Sequence, residues 1–176
     1  IPGSLVGSEM CIRDRPKAAV DELPAFLARL PSTCHVASIT GRYFAMDRDN
    51  RWDRTQAFID VICYGQAPHY AADPRTALAE AYARGESDEF IKATCINGYS
   101  GPAENDGLLV ANFRVDRVRQ FLRALTRPEQ TGCELDGRSS RPFAAGMLSM
   151  TPVSDDLKDI VTPLFVQPEL RNGLAE

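Results

Sequence analysis

From residue 16 onward, short apolar runs bounded by turn residues alternate with longer stretches whose apolar residues recur at helical spacing. Strands that alternate with helices leave few packings open, and the expected one is an α/β domain with a mainly parallel sheet flanked by helices. The strand candidates are His35–Thr40, Phe90–Ile96, Leu108–Phe113 and Phe143–Thr151. They are short, apolar and in places β-branched, as buried parallel strands are. Helix is expected from Pro16 to Leu30, with Pro24 bending or shortening it, and from Trp52 to Tyr64, with Gly65 just past its end. The best signalled helix has Asp73 as N-cap, Pro74 at its first position and Gly85 as its stop. A fourth follows Arg114, where Val118, Phe121, Leu122 and Leu125 form one apolar stripe. In such a domain ligands collect at the carboxyl ends of strands, where helix N-termini present positive partial charge.

The charge balance narrows the partners. A net charge of -4 and a pI near 5.3 give no global positive field to gather nucleic acid or anionic lipid, so an anion must be bound locally. No apolar run approaches the roughly 20 residues that cross a bilayer. The cysteines, Cys11, Cys34, Cys63, Cys95 and Cys133, are odd in number and make no CxxC pair, which points to reduced thiols in a cytoplasmic setting. With His35 and His69 as the only imidazoles, a metal centre would have to lean on carboxylates or lone cysteines, and a zinc site is not expected.

Of the 20 basic residues only Lys17, Lys92 and Lys158 are lysines. Position is the informative point. Arg42 follows the first strand directly, Arg48 lies in the same loop, and Arg114 and Arg117 occupy the turn from strand to helix further on. If helix begins at Arg114, the last two share a face. A guanidinium offers two parallel donors to a phosphate or carboxylate, and four suit a ligand with two anionic ends. The residues themselves leave two readings open. Asp47, Asp49, Asp53 and Asp116 could neutralise solvated arginines, or could hold the guanidiniums in place for a ligand.

Other candidates carry less. Cys34 and His35 are strand neighbours and point to opposite faces, so they make a poor dyad. His69 has no evident partner, and Asp88–Phe90 reads as a turn between helix and strand. No GxxxxGK[ST], GxGxxG or GxSxG motif is present.

Four segments carry a resemblance. GRYFAMDRDNRWDR (Gly41–Arg54), AYARGESDEF (Ala81–Phe90), NFRVDRVRQF (Asn112–Phe121) and LFVQPELRNGLAE from Leu164 resemble, in this order, stretches of the cofactor-independent (2,3-bisphosphoglycerate-independent) phosphoglycerate mutases. The similarity covers nearly everything after residue 16. It implies a partial phosphotransferase domain, one that is inserted into an alkaline-phosphatase-like domain in this family, from a cytoplasmic, monomeric glycolytic isomerase. It implies that Arg42, Arg48, Arg114 and Arg117 hold 3-phosphoglycerate or 2-phosphoglycerate while the phosphoryl group rests on a serine. The serine, a lysine and the Asp/His ligands of two divalent metal ions, usually manganese, are expected outside this chain, and no 2,3-bisphosphoglycerate is required. No catalytic or metal-binding residue is therefore expected within it.

The resemblance also sets expected boundaries. Residues 1–15, with the run SLVGSEMCIRDR, resemble translated sequencing-adaptor read-through, and both ends read as cut. The domain then spans residues 16–162, and residues 163–176 begin a return to a missing phosphatase-like part, with a pivot near Thr162–Pro168. An Arg-Asp pair of the substrate site is expected before the first helix. Arg13 and Asp14 fall near it, but their spacing to Pro16 is short and the role is not carried over to them. The alternative function is a catalytically inert phosphate-binding or interaction fragment; a nucleic-acid module is disfavoured by the acidic pI.

Overall fold

A computed structural model describes residues 5–6, 15–135, 143 and 145–166. Its strands are β1 (Leu5–Val6), β2 (Ser38–Ile39), β3 (His69–Ala71), β4 (Thr94–Ile96), β5 (Leu108–Val110), β6 (Met147–Ser149) and β7 (Val161–Pro163). Its α-helices are α1 (Ala19–Arg29), α2 (Arg42–Ala45), α3 (Trp52–Tyr64), α4 (Pro74–Ala83) and α5 (Val115–Thr126). The α/β class with helices and a parallel sheet is what the alternation of patterns predicts.

The strands divide into two sheets. One is all parallel in the order β1-β5-β6-β7; the other is mixed, in the order β2-β4-β3. In the second, β2 runs antiparallel to β4 and β3 runs parallel to it. His35–Thr40 therefore does not supply a central parallel strand. Only Ser38–Ile39 pairs, at an edge, and both residues are half-buried. β3 was not anticipated, because a three-residue HYA segment with Tyr70 exposed has neither an apolar run nor a clean alternation. Leu5–Val6, inside the stretch set apart on sequence grounds, lies parallel to Leu109–Val110. Val161–Pro163, expected near a pivot, closes the parallel sheet beside β6. Residues 167–176, Arg13 and Asp14 lie outside the described residues.

Local chemistry explains the helix bounds. Asp73 accepts the backbone N–H groups of Arg75 (2.9 Å) and Thr76 (3.0 Å), and Pro74 opens α4 without losing a bond. Gly65 ends α3 in the left-handed conformation at φ 65°. α1 begins at Ala19 rather than Pro16, where the Ala19 N–H donates to Asp88 (3.1 Å). Asp88, at the turn between α4 and β4, also accepts from the Tyr82 hydroxyl, so its carboxylate ties α1 to α4.

One contiguous core spans both sheets: Ile59 and Val61 of α3, Leu108 and Val110 of β5, Leu122 of α5, and Cys95 of β4 are all essentially inaccessible. α3 and α5 meet through Phe58 and Phe121, edge to face at 5.5 Å. A smaller cluster of Leu78, Ala81 and Ile91 packs α4 against Leu23 of α1.

Candidate functional site

Arg42 and Arg114 stand at the carboxyl ends of strands in different sheets, β2 and β5, and the packing of α3 on α5 brings their loops together. The first loop starts at Gly41, whose N–H donates to Ile91 O (2.8 Å). A side chain at Gly41 would place Cβ 2.4 Å from Glu89 O and 2.7 Å from Ile91 N, so glycine is required for room; its φ of -65° is ordinary. α2 follows at once, where a polar loop was expected, and Arg42 at its start pairs with Glu89 (3.0 Å).

Asp47 then folds the chain back. Its Oδ2 accepts the N–H groups of Asp49 (3.1 Å) and Arg51 (3.0 Å), and its Oδ1 accepts from Arg54 (3.0 Å), whose guanidinium lies over the Tyr43 ring at 3.8 Å. Asp47 is only 6% exposed, and burial alone would raise its pKa. The bonds from Arg51, Gln120, Asp49 and Arg54 outweigh that and hold the carboxyl below its ordinary value.

The second loop starts at Asn112, whose Oδ1 accepts the Arg114 N–H (2.8 Å). α5 begins one residue after Arg114, which is therefore its N-cap, and Arg117 falls in the first turn. Asp116 joins the two loops: one carboxylate oxygen accepts Arg48 Nη1 (2.8 Å) and the other accepts Arg114 Nε (3.0 Å). These two bonds overcome partial burial and lower its pKa. Arg117 Nη1 donates to Met46 O (3.1 Å), fastening α5 to the end of α2.

Three of the four expected arginines, Arg48, Arg114 and Arg117, thus lie where the loops meet, while Arg42 pairs apart from them with Glu89. Two donors there, Asn112 Nδ2 and Arg117 Nε, are buried without a hydrogen-bond partner. Gln120 was missed. The apolar stripe of α5 points elsewhere, yet Gln120 is buried, because the 47–55 segment covers that second face. A separate cleft of about 890 Å³ lies along Arg119, Arg123 and Arg127; its charge is partly answered by Asp156, which Arg123 grips through two bonds.

Residues 13–154 match the family model described as "BPG-independent PGAM N-terminus". The chain belongs to this family. A 2,3-bisphosphoglycerate-independent phosphoglycerate mutase of Roseobacter denitrificans is 38% identical over 161 residues, 92% of this chain and 31% of that protein. The enzyme of the same name from Dinoroseobacter shibae is 41% identical over 150 residues, 84% of this chain and 29% of its own length. Among solved structures, the fold matches a chain from "Crystal structures of Leishmania mexicana phosphoglycerate mutase at low cobalt concentration" with a TM-score of 0.70 and 23% identity, covering 91% of this chain and 31% of that one. The chain therefore spans about 31% of the length of such mutases. Within that span fall both loops that carry the arginines.

Proposed function

We propose that this chain is the substrate-gripping part of a mutase that interconverts 3-phosphoglycerate and 2-phosphoglycerate through a phosphoserine, with Arg42, Arg48, Arg114 and Arg117 as the binding residues. The observation that carries this reading is the meeting of the GRYFAMDR loop with the NFRVDR turn, which gathers three guanidiniums at one place. Each offers an anionic ligand with several oxygens charge-assisted hydrogen bonds of about 1.5–3 kcal/mol. Arg42, anchored at Glu89, would take the other end of a ligand with a phosphate and a carboxylate.

The reaction also needs a nucleophile and, in this family, divalent metal ions as electrophiles. Among the described residues no group of three or more His, Cys, Asp or Glu could hold an ion. The donors among the described residues do not fit a metal pair. What these residues would do is orient the glycerate and keep its charge satisfied while the phosphoryl group is away, so that water does not take the glycerate's place.

The test is a calorimetric titration of the 176-residue chain with 3-phosphoglycerate at two ionic strengths. Binding should weaken as salt rises, and Arg48→Ala and Arg114→Ala should each weaken it about tenfold or more, equal to about 1.4 kcal/mol. Absence of binding, or binding indifferent to both substitutions, overturns the proposal. The chain alone should neither turn over 3-phosphoglycerate nor bind manganese tightly; turnover would refute the division of labour.

A further inference from the structure

Arg48 sits in a segment fixed from both sides by one amide side chain. Gln120 Oε1 accepts the Asn50 N–H (3.0 Å), and its Nε2 donates to both Asp47 Oδ2 (2.8 Å) and Thr55 Oγ1 (2.6 Å). Both N–H bonds of the amide are thereby used, and its carbonyl faces a backbone donor. The opposite amide orientation would set the carbonyl oxygen against a carboxylate, so the network defines which end is which. The side chain is 5% exposed, where a half-satisfied polar group is more costly than an apolar one.

The segment gripped in this way is not relaxed on its own. Asn50 has φ 56°, in the left-handed region that non-glycine residues seldom adopt, and its N–H is the one Gln120 holds. Asp47 takes two further backbone donors from the same turn. Arg48 lies between these anchors and makes no bond to Gln120; its guanidinium, about half exposed, reaches Asp116 on the same helix. The clasp therefore fixes the backbone of Arg48 without engaging its guanidinium, whose exposed bond to Asp116 a ligand could replace.

We infer that Gln120, together with Asp47, is a positioning residue for the anion site: it sets where Arg48 stands relative to Arg114 and Arg117. The inference rests on the proposed arginine grip and deepens it, by naming what preorganises it. A displacement of about 1 Å in a binding or reacting group can cost up to about a hundredfold, which is why such a clasp matters for function more than for folding.

A double-mutant cycle on the 176-residue chain tests it, with 3-phosphoglycerate as the probe and melting temperature as the folding control. Gln120→Met keeps the length and removes the amide. It should raise Kd about tenfold in the otherwise wild-type chain and in an Arg42→Ala background, yet change it less than about twofold in an Arg48→Ala background. Exchange of the Asn50 and Arg51 amides with deuterium should accelerate in the same variant. An equal loss in all backgrounds would mark Gln120 as a general packing residue and overturn the inference, as would no loss at all. If Gln120→Met does not fold, Gln120→Asn retains donor and acceptor but is one methylene short, and the same comparison decides. Failure of the underlying grip is separately visible, since the wild-type chain would then show no binding before any Gln120 variant is made.

Discussion

Gly41→Ala is the sharpest test of how the first arginine loop is built. The added Cβ would stand 2.4 Å from Glu89 O, 2.8 Å from Glu89 C and 2.7 Å from Ile91 N. All three are backbone atoms, so no rotamer change relieves the clash. The chain must separate by about an ångström to reach ordinary contact, and that stretches the Gly41 N–H to Ile91 O bond, now 2.8 Å. Overpacking of this kind costs about 1–3 kcal/mol and the lost hydrogen bond about 1 kcal/mol, for a total of about 2–4 kcal/mol. At about 2–4 °C per kcal/mol for a chain of this size, the midpoint of thermal unfolding followed by circular dichroism should fall by about 4–16 °C. Gly107→Ala is the control, because its Cβ meets Gly146 O at 3.2 Å and Ala145 Cβ at an ordinary 3.8 Å, so a small adjustment suffices. It should cost less than about 1 kcal/mol. A Gly41→Ala midpoint within about 2 °C of the Gly107→Ala value would refute the steric reasoning. Because Glu89 is both the obstructing residue and the partner of Arg42, the same variant should also weaken 3-phosphoglycerate binding.

Arg117→Ala removes a donor to Met46 O and a guanidinium from the site, and should lower 3-phosphoglycerate affinity at least tenfold, by about 1.4 kcal/mol, while the melting temperature moves by only a few degrees; near-normal affinity would exclude Arg117 from the site. Asp47, Asp116, Glu86 and Asp156 all have carboxyl pKa values below their ordinary ones, so in acid the unfolded chain takes up protons first. The stability these groups contribute is complete above their ordinary values, 3.8 for the aspartates and 4.5 for Glu86, and is lost as pH falls through their folded values. Urea melts should therefore weaken below about pH 4 and Asp47→Asn should flatten that fall; an unchanged slope would contradict the assignment. Burial pushes the Cys63 thiol up to about 12 and Cys133 to about 11, whereas Cys34 is partly exposed. Among the described cysteines Cys34 should react first with a thiol reagent in the native state, and prompt labelling of Cys63 would contradict its burial.

Much of this architecture was legible because its signals are local. α4 carries its own cap in Asp73 and α3 its own stop in Gly65, while α5 is marked by the spacing of its apolar stripe and by Pro128 beyond its end, all before any tertiary contact is considered. The strand cores at Thr94–Ile96, Leu108–Val110 and Met147–Ser149 lie inside the expected apolar runs, but pairing ends sooner than hydrophobicity does. The division into two sheets was not legible, since nothing in His35–Thr40 says that its partner runs antiparallel. α2 was hidden because four residues directly after a strand give no periodicity. Of the candidate site, the motifs name the arginines and Asp116, and the structure brings Arg48 and Arg114 onto that carboxylate while Arg42 pairs with Glu89. Gln120 could not be read, because its burial depends on a loop 70 positions away.

That distance bears on what assembles the site. Arg48 and Asp116 are 68 positions apart, and their side chains are 49% and 41% exposed. An ion pair so exposed contributes about 0–1 kcal/mol, less than the entropy of ordering even one loop residue. It cannot be what draws the loop onto α5. The buried contacts can: the Phe58–Phe121 pair and the aliphatic core around it each contribute about 1.5–3 kcal/mol per buried side chain, and the Asp47–Gln120–Thr55 network is satisfied out of water. The pairs of Asp116 with Arg48 and Arg114 are then a consequence of the fold and not its cause. Asp116 holds Arg48 and Arg114 through exposed bonds, and under the proposed function an anion would take its place on both guanidiniums.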